Sequence, residues 1–358
     1  MKNYMAFGMR VKLQPLFFGA GILFLTLTGC SSNRNQAATP PGSITNLGEG
    51  KSVLVYGSTS LLPFMNPITE KFKKANPAVR TTIGGYSTGM GFKRFCAGDT
   101  DITMAARPIN KSEIETCQKN KIEFVELPVG LTAVAVILNR TNTWATCLKP
   151  EELAKIWEPA ASGKIVNWKQ VRNDYPDQPL ILYAYGAGSG TVDFFTEAIV
   201  GEVGKIRNDY KIIDGDDSLL AQAVGAEPNG MGFFSFAYYK QFQNVLNSVA
   251  IENKEGKCIQ PSLETIADGS YTPLILPMLI YVSKTALKEN SDVKAFVKYQ
   301  LDPANRHFIS EGGYVPLPDD LLAHVQARLD NAIAGSIYEG KSPVGVKLAD
   351  KLATPQKR

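Results

Sequence analysis

"LILYAYGAGSGTVDFF", residues 180–195, runs from an apolar stretch through three glycines in five positions to Ser189, Gly190 and Thr191, and then into a helical pattern that ends before Gly201. Strand, glycine-rich turn and helix, in that order, form the repeating unit of parallel α/β sheets. The turn also has a chemistry. Backbone N–H groups at a helix N-terminus lack intrahelical partners, and beside short hydroxyls they make an anion site.

Two other stretches repeat the design. "GSTS" (57–60) and "GYSTGMG" (85–91) each follow an extended run, carry Ser or Thr with Gly, and precede a helical pattern. Alone, such a loop is most often a plain turn and helix cap. Three in one chain point to a shared oxyanion, because ligands of open parallel sheets gather at the carboxyl ends of strands. A fourth piece is "DITMAARPI" (101–109), where Pro108 ends a strand and exposes Arg107, whose guanidinium matches a phosphate bidentately. A salt bridge, with Asp99 or Asp101 nearby, is the plainer role for it.

Nucleotide and hydrolase readings fail on particular residues. A P-loop needs Lys before its Ser/Thr, and here Gly190 precedes Thr191; the spacing G-x-G-x-G is not the dinucleotide fingerprint G-x-G-x-x-G. The nucleophile elbow G-x-S-x-G is absent, and the two histidines, His307 and His324, lie in a C-terminal helical region. Binding without catalysis or cofactor is therefore expected; an exported phosphoesterase using Ser189 is the enzymatic alternative.

Outward from these loops the chain alternates strand and helix signals. Val53–Tyr56 is β-branched, Phe64, Ile68 and Phe72 recur at helical spacing, and "KPEELAKIW" places Pro150 at a first helical position. "IEFVELPV" and "AVAVIL" read as two strands, and "PLILPMLIYV" as another extended segment. From Asp292 the pattern is mostly helical, broken by "EGGYVPLP". The alternation argues for an α/β fold with largely parallel sheets.

The N-terminus has its own signature. Lys2, Arg10 and Lys12 precede an apolar run, Leu13–Leu27, that closes on Leu27-Thr28-Gly29-Cys30. This is a secretory signal over 1–29, shorter than the ~20 residues of a membrane span and interrupted by Gln14 and Pro15. A cysteine directly after the small residue resembles a bacterial lipobox, which makes Cys30 the lipidated new N-terminus. Residues 30–50 are polar and rich in Pro, Gly and Asn, a flexible tether. The net charge of +4 is small, with several basic residues in the signal and the tail, so no nucleic-acid face is implied. With Cys30 set aside, Cys96, Cys117, Cys147 and Cys258 remain, an even number without CxxC spacing, which argues for disulfides over a metal site. Of three connectivities, Cys96–Cys117 and Cys147–Cys258 is favoured.

"GSTSLLPF" (57–64), "STGMGFKRFCAGDTDITMAARPI" (87–109), "GSGTVDFF" (188–195) and "GGYVPLP" (312–318), in this order, resemble the phosphate-binding proteins of bacterial phosphate ABC importers, closest to the lipobox-bearing branch typical of cyanobacteria. The resemblance covers nearly everything after the tether. It implies a type II periplasmic-binding-protein fold, two α/β lobes with a ligand cleft between them, lobe 1 being 51–139 plus 276–358 and lobe 2 140–275. It implies a monomeric, membrane-anchored lipoprotein of the periplasm or cell envelope that captures inorganic phosphate and delivers it to a permease. A sensor or binder of another tetrahedral oxyanion is the alternative. Carried over by position, Thr59, Ser60, Ser87, Thr88, Gly89 and Arg107 hold the anion from lobe 1, and Ser189, Gly190 and Thr191 from lobe 2.

This chain departs from the resembled pattern at four positions: Ala106 replaces a usual Ser, Gly188 a frequent Asp, and Tyr185 and Leu276 arginines of other members. Selection of phosphate over sulfate needs an acceptor for the ligand's proton. Asp101, Asp193 and Asp217 are the carboxylates left to supply one.

Overall fold

A computed structural model describes residues 52–214 and 216–353; the signal over 1–29, Cys30 and the tether lie outside the described residues. Val53 and Val55, fully buried, set the face of β1 (Ser52–Ser58), which pairs in parallel with β2 (Arg80–Tyr86) and β3 (Ile102–Ala105). Helix α1 (Leu62–Ala75) buries Phe64, Ile68 and Phe72 as their spacing predicts. Helices α2 (Thr88–Ala97) and α3 (Lys111–Lys119) complete this part.

The sequence suggests two strands between residues 122 and 138, but the chain makes one, β4 (Phe124–Asn139). Pro128 and Gly130 read as a break because Pro donates no ladder bond. The strand passes through them by a bulge: against β12 (Ile275–Ser283), Leu279 faces Pro128 and Met278 faces Gly130, leaving Val129 as the extra residue.

β4 joins the two halves of the large sheet. Its residues 124–133 pair with β12, and 134–138 pair with β8 (Gly230–Ser235). The second half continues with β6 (Ile181–Ala184) and β7 (Lys211–Ile212), while β9 (Leu246–Ser248) pairs with the end of β4. The order is β2-β1-β3-β12-β4-β8-β6-β7. β4 and β12 run antiparallel to their neighbours, so the sheet is mixed rather than largely parallel. A separate sheet holds β5 (Cys147–Leu148), β10 (Ala250–Glu252) and β11 (Cys258–Ile259), and a Cys147–Cys258 disulfide ties β5 to β11. The second disulfide is Cys96–Cys117, between α2 and α3.

Helices α4 (Pro150–Trp157), α5 (Trp168–Val171), α6 (Gly190–Ile199), α7 (Asp217–Ala226) and α8 (Phe236–Phe242) accompany the second half, where Phe195 stacks on Phe233 at 3.8 Å and Trp157 meets Phe233 edge-on. In the first half Phe92 and Phe124 meet Tyr281 edge-on. The late segment "EGGYVPLP" returns to the junction: Leu131 and Val315 exchange both backbone hydrogen bonds at 2.8 Å. Among the described residues no helix is long and apolar enough to cross a membrane.

Candidate functional site

Each of the three loops lies where a parallel strand hands over to a helix. After β1, Thr59–Leu61 forms a 3-10 turn that leads into α1. After β2, Ser87 caps α2, its Oγ accepting from Met90 N at 3.2 Å. After β6, Ser189 caps α6 in the same way, accepting from Val192 N at 3.4 Å. Short hydroxylated residues at these caps keep the turns narrow and take up the third N–H group of each helix, that of Met90 in α2 and of Val192 in α6.

The loops converge. One pocket is lined by Thr59, Ser60, Ser87, Thr88, Ser189 and Gly190, six of the nine expected site residues, drawn from both halves of the sheet. Across it, Gly89 N donates to Gly188 O at 3.1 Å and Ser60 Oγ lies 3.4 Å from Thr191 Oγ1. Gly89 and Thr191 thus stand at contacts beside the pocket and do not line it. Among the described residues no Lys, Arg or His lines it either, so an anion there would be met by N–H dipoles and hydroxyls, with one carboxylate, Asp214, also in the lining.

Arg107, expected on the anion, is held elsewhere. Nη1 and Nη2 each donate to Glu113 at 2.8 Å, Nη1 also to Pro108 O, and Nε to Asp193 Oδ2 at 2.8 Å. Burial would pull this guanidinium down, but Glu113 and then Asp193 more than offset it and hold it charged. Asp193, in the first turn of α6, is pushed up by burial and drawn down by Arg107. Asp101 does not line the pocket and accepts from Leu54 N at 2.9 Å. His307 and His324 each face a carbonyl of their own segment, Ala304 O and Asp320 O, and neither lines the pocket.

Five lining residues are outside the expected set, Ser58, Tyr86, Tyr185, Ala187 and Asp214, and of these Tyr185 and Asp214 are tied to other polar groups. The Tyr185 hydroxyl donates to Asp217 Oδ1 at 2.5 Å, and Asp214 Oδ1 accepts from Gly186 N at 2.7 Å. Asp217 is 1% exposed, and burial pushes its pKa up to about 6 against hydrogen bonds from Tyr185 and Thr59. Asp214 follows β7, whose two residues are both exposed, so no apolar pattern announces a strand end there. A second cavity shares Ser60 with the pocket and adds Thr191, Thr132, Ser235, Ala106 and Leu276.

A family model described as a PBP superfamily domain matches residues 35–304. The chain belongs to this superfamily. Within it, the chain is 39% identical over 300 residues to protein SphX of Synechococcus elongatus, an alignment that takes in 84% of this chain and 88% of that protein. It is 31% identical over 302 residues to the phosphate-binding protein PstS of Staphylococcus haemolyticus, covering 84% of this chain and 90% of that one. Among solved structures, one described as a possible phosphate binding protein from Planctomyces limnophilus superposes with a TM-score of 0.59 at 33% identity, over 79% of this chain and 99% of that chain.

Superfamily membership gives the four departures a physical setting. Gly188 has φ +86°, a left-handed backbone that an Asp would strain, and its carbonyl takes the bond from Gly89. Ala106 offers its N–H to Thr88 Oγ1 at 3.1 Å and has no hydroxyl of its own to give. Leu276, 2% exposed, is an apolar wall of the second cavity. Tyr185 is the departure that reaches the pocket itself.

Proposed function

We propose that this protein is an extracytoplasmic solute-binding protein that captures inorganic phosphate between two lobes and delivers it to the permease of an ABC importer. The observation that carries the reading is the convergence of three Ser/Thr/Gly loops, from both halves of the sheet, on one pocket that no cation lines among the described residues. A free oxyanion fits such a pocket, since N–H groups and hydroxyls complete a tetrahedral shell without bulk. The names of the similar proteins SphX and PstS, one of them a phosphate-binding protein, support the same ligand.

The lobes follow the sheet. The first is 52–133 with 275–353 and the second 134–274, because β4 changes partners between Ala133 and Val134 where β12 begins at Ile275. The sequence-based expectation sets the divisions a few residues away, after 139 and 275. Thr59, Ser60, Ser87, Thr88, Ser189 and Gly190 form the shell of the anion; Gly89 and Thr191 close it, and Arg107 acts on closure through Asp193. The cycle is capture without chemistry: phosphate bridges the loops and shifts the population toward the closed lobes. Cys30 carries lipid, and the tether keeps a monomeric body near its permease. Isothermal titration with phosphate, arsenate, sulfate and molybdate tests the reading, which expects heat with phosphate; no heat with any of the four overturns it. Release of the protein into the soluble fraction on Cys30→Ser tests the anchor.

A further inference from the structure

Phosphate at neutral pH carries a proton that sulfate lacks. A pocket that tells the two apart must present an atom that accepts a hydrogen bond and cannot donate one. No aspartate precedes Ser189 here, and the residue after Ala106 is an arginine whose donors go to Glu113, Asp193 and Pro108. The polar side chains that line the pocket from the three loops are hydroxyls, free to turn either way, and the carboxylate that lines it, Asp214, is tied through Oδ1 to Gly186 N at 2.7 Å.

Tyr185 is different. It lines the pocket, is 6% exposed, and gives its single phenolic proton to Asp217 Oδ1 at 2.5 Å. Asp217 is 1% exposed, and Thr59 of the first loop lies beside it as a second hydroxyl. The tyrosine's carbonyl accepts from Tyr210 at 3.1 Å, and Tyr238 reaches Thr59 O at 3.4 Å, so the group is held from both sides. With its pKa pushed up to about 6, Asp217 stays a carboxylate at mildly alkaline pH. An ionised carboxylate has no proton to return, so the phenol cannot turn its own toward the pocket without leaving a buried charge unpaired.

Resting on the phosphate-capture reading, we propose that Tyr185, locked by Asp217, is the acceptor that selects protonated oxyanions: the ligand's P–OH donates to the Tyr185 oxygen, and sulfate meets a lone pair with nothing to give it. Tyr185 touches the anion, and Asp217 is the residue that positions its proton. Phosphate selection is thus moved from a loop carboxylate to a relay that enters from α7.

The test is titration of the full protein and of two variants, Tyr185→Phe and Asp217→Asn, with phosphate and with sulfate at mildly alkaline pH, folding being followed by circular dichroism. The wild type is expected to prefer phosphate. In Asp217→Asn the amide can donate to the tyrosine and free the phenolic proton, so phosphate weakens, sulfate tightens, and the ratio of affinities narrows by roughly tenfold or more. Tyr185→Phe loses the acceptor, weakening phosphate and leaving sulfate no weaker. If Asp217→Asn does not fold, Tyr185→Phe, which keeps the ring, decides. A ratio unchanged in the folded variants overturns the proposal and leaves phosphate capture standing. So does a wild type without preference, or a parallel loss of both anions in the variants. A wild type that binds neither anion overturns the capture reading, and this inference with it.

Discussion

Arg107 Nε and Asp193 Oδ2 lie 2.8 Å apart and belong to opposite halves of the sheet, one directly after β3 and the other in the first turn of α6. Glu113 fixes the rest of the guanidinium within the first half. The pair therefore ties the two halves of the sheet together beside the pocket. Arg107→Ala and Asp193→Asn should each weaken phosphate binding by about tenfold through the closed population, mainly by faster release. The double variant should be little worse than either, as for two ends of one contact. Were Arg107 a ligand instead, removing its competitor Asp193 would leave phosphate affinity unchanged or higher, and titration separates the two.

Gly190 is the closest point of the clamp. A Cβ there would fall 2.2 Å from Thr88 Oγ1, 2.8 Å from Thr88 Cβ and 3.4 Å from Ala106 Cβ, all atoms of the other half. Gly190→Ala should spare the fold and block closure. Its melting temperature without ligand should match the wild type, while the rise that phosphate produces should vanish, with affinity down about tenfold or more. A destabilised apo form would show instead that Gly190 serves packing within its own half.

What the sequence revealed about the site follows from where its signals are local. Ser87, Thr88, Ser189 and Gly190 could be placed because hydroxyl, glycine and helix start lie within a few residues of a strand end. Arg107 could not, because its partners are chosen by distance in space. Asp193 is 86 positions away, and Glu113, though only six away, is turned toward it by a capping box in which Asn110 and Glu113 exchange hydrogen bonds. The Asn-Lys-Ser-Glu run at 110–113 was the available clue. Asp217 was legible as a carboxylate with no position, since β7 before it is short and exposed. The junction was misread where Pro128 and Gly130 imitate a strand break and a bulge absorbs them.

The two disulfides should differ in worth and in access. Closing loops of 21 and 111 residues in the unfolded chain predicts about 3 and about 5 kcal/mol respectively from chain entropy. Cys96 and Cys117 are buried, whereas Cys258 is exposed. Denaturant unfolding of Cys147→Ala/Cys258→Ala should therefore show the larger loss, and mild reductant should open that bridge first in the native protein. Peptide mapping after graded reduction reads the order; simultaneous opening of both would contradict it.

Glu126 predicts a pH dependence of stability away from the pocket. It is fully buried on β4, with Oε1 accepting from Ile337 N at 3.2 Å. Burial raises its pKa from the ordinary 4.5 to about 7, opposed by Ser336, Tyr281 and the charge of Arg328. A carboxyl raised in the folded state binds its proton more tightly there than in the unfolded chain. Its favourable contribution is therefore complete at the acid end, falls as pH rises from about 4.5 to about 7, and is gone above that. The fall is on the order of 3 kcal/mol at most, from ~1.4 kcal/mol per pH unit. Glu126→Gln keeps an acceptor for Ile337 N and removes the titration. Denaturant unfolding at about pH 5 and about pH 8 should show the variant gaining on the wild type by roughly that amount at the higher pH. Parallel profiles for the two proteins would mean that Glu126 is already ionised in the native state, with Arg328 supplying the compensation that burial denies.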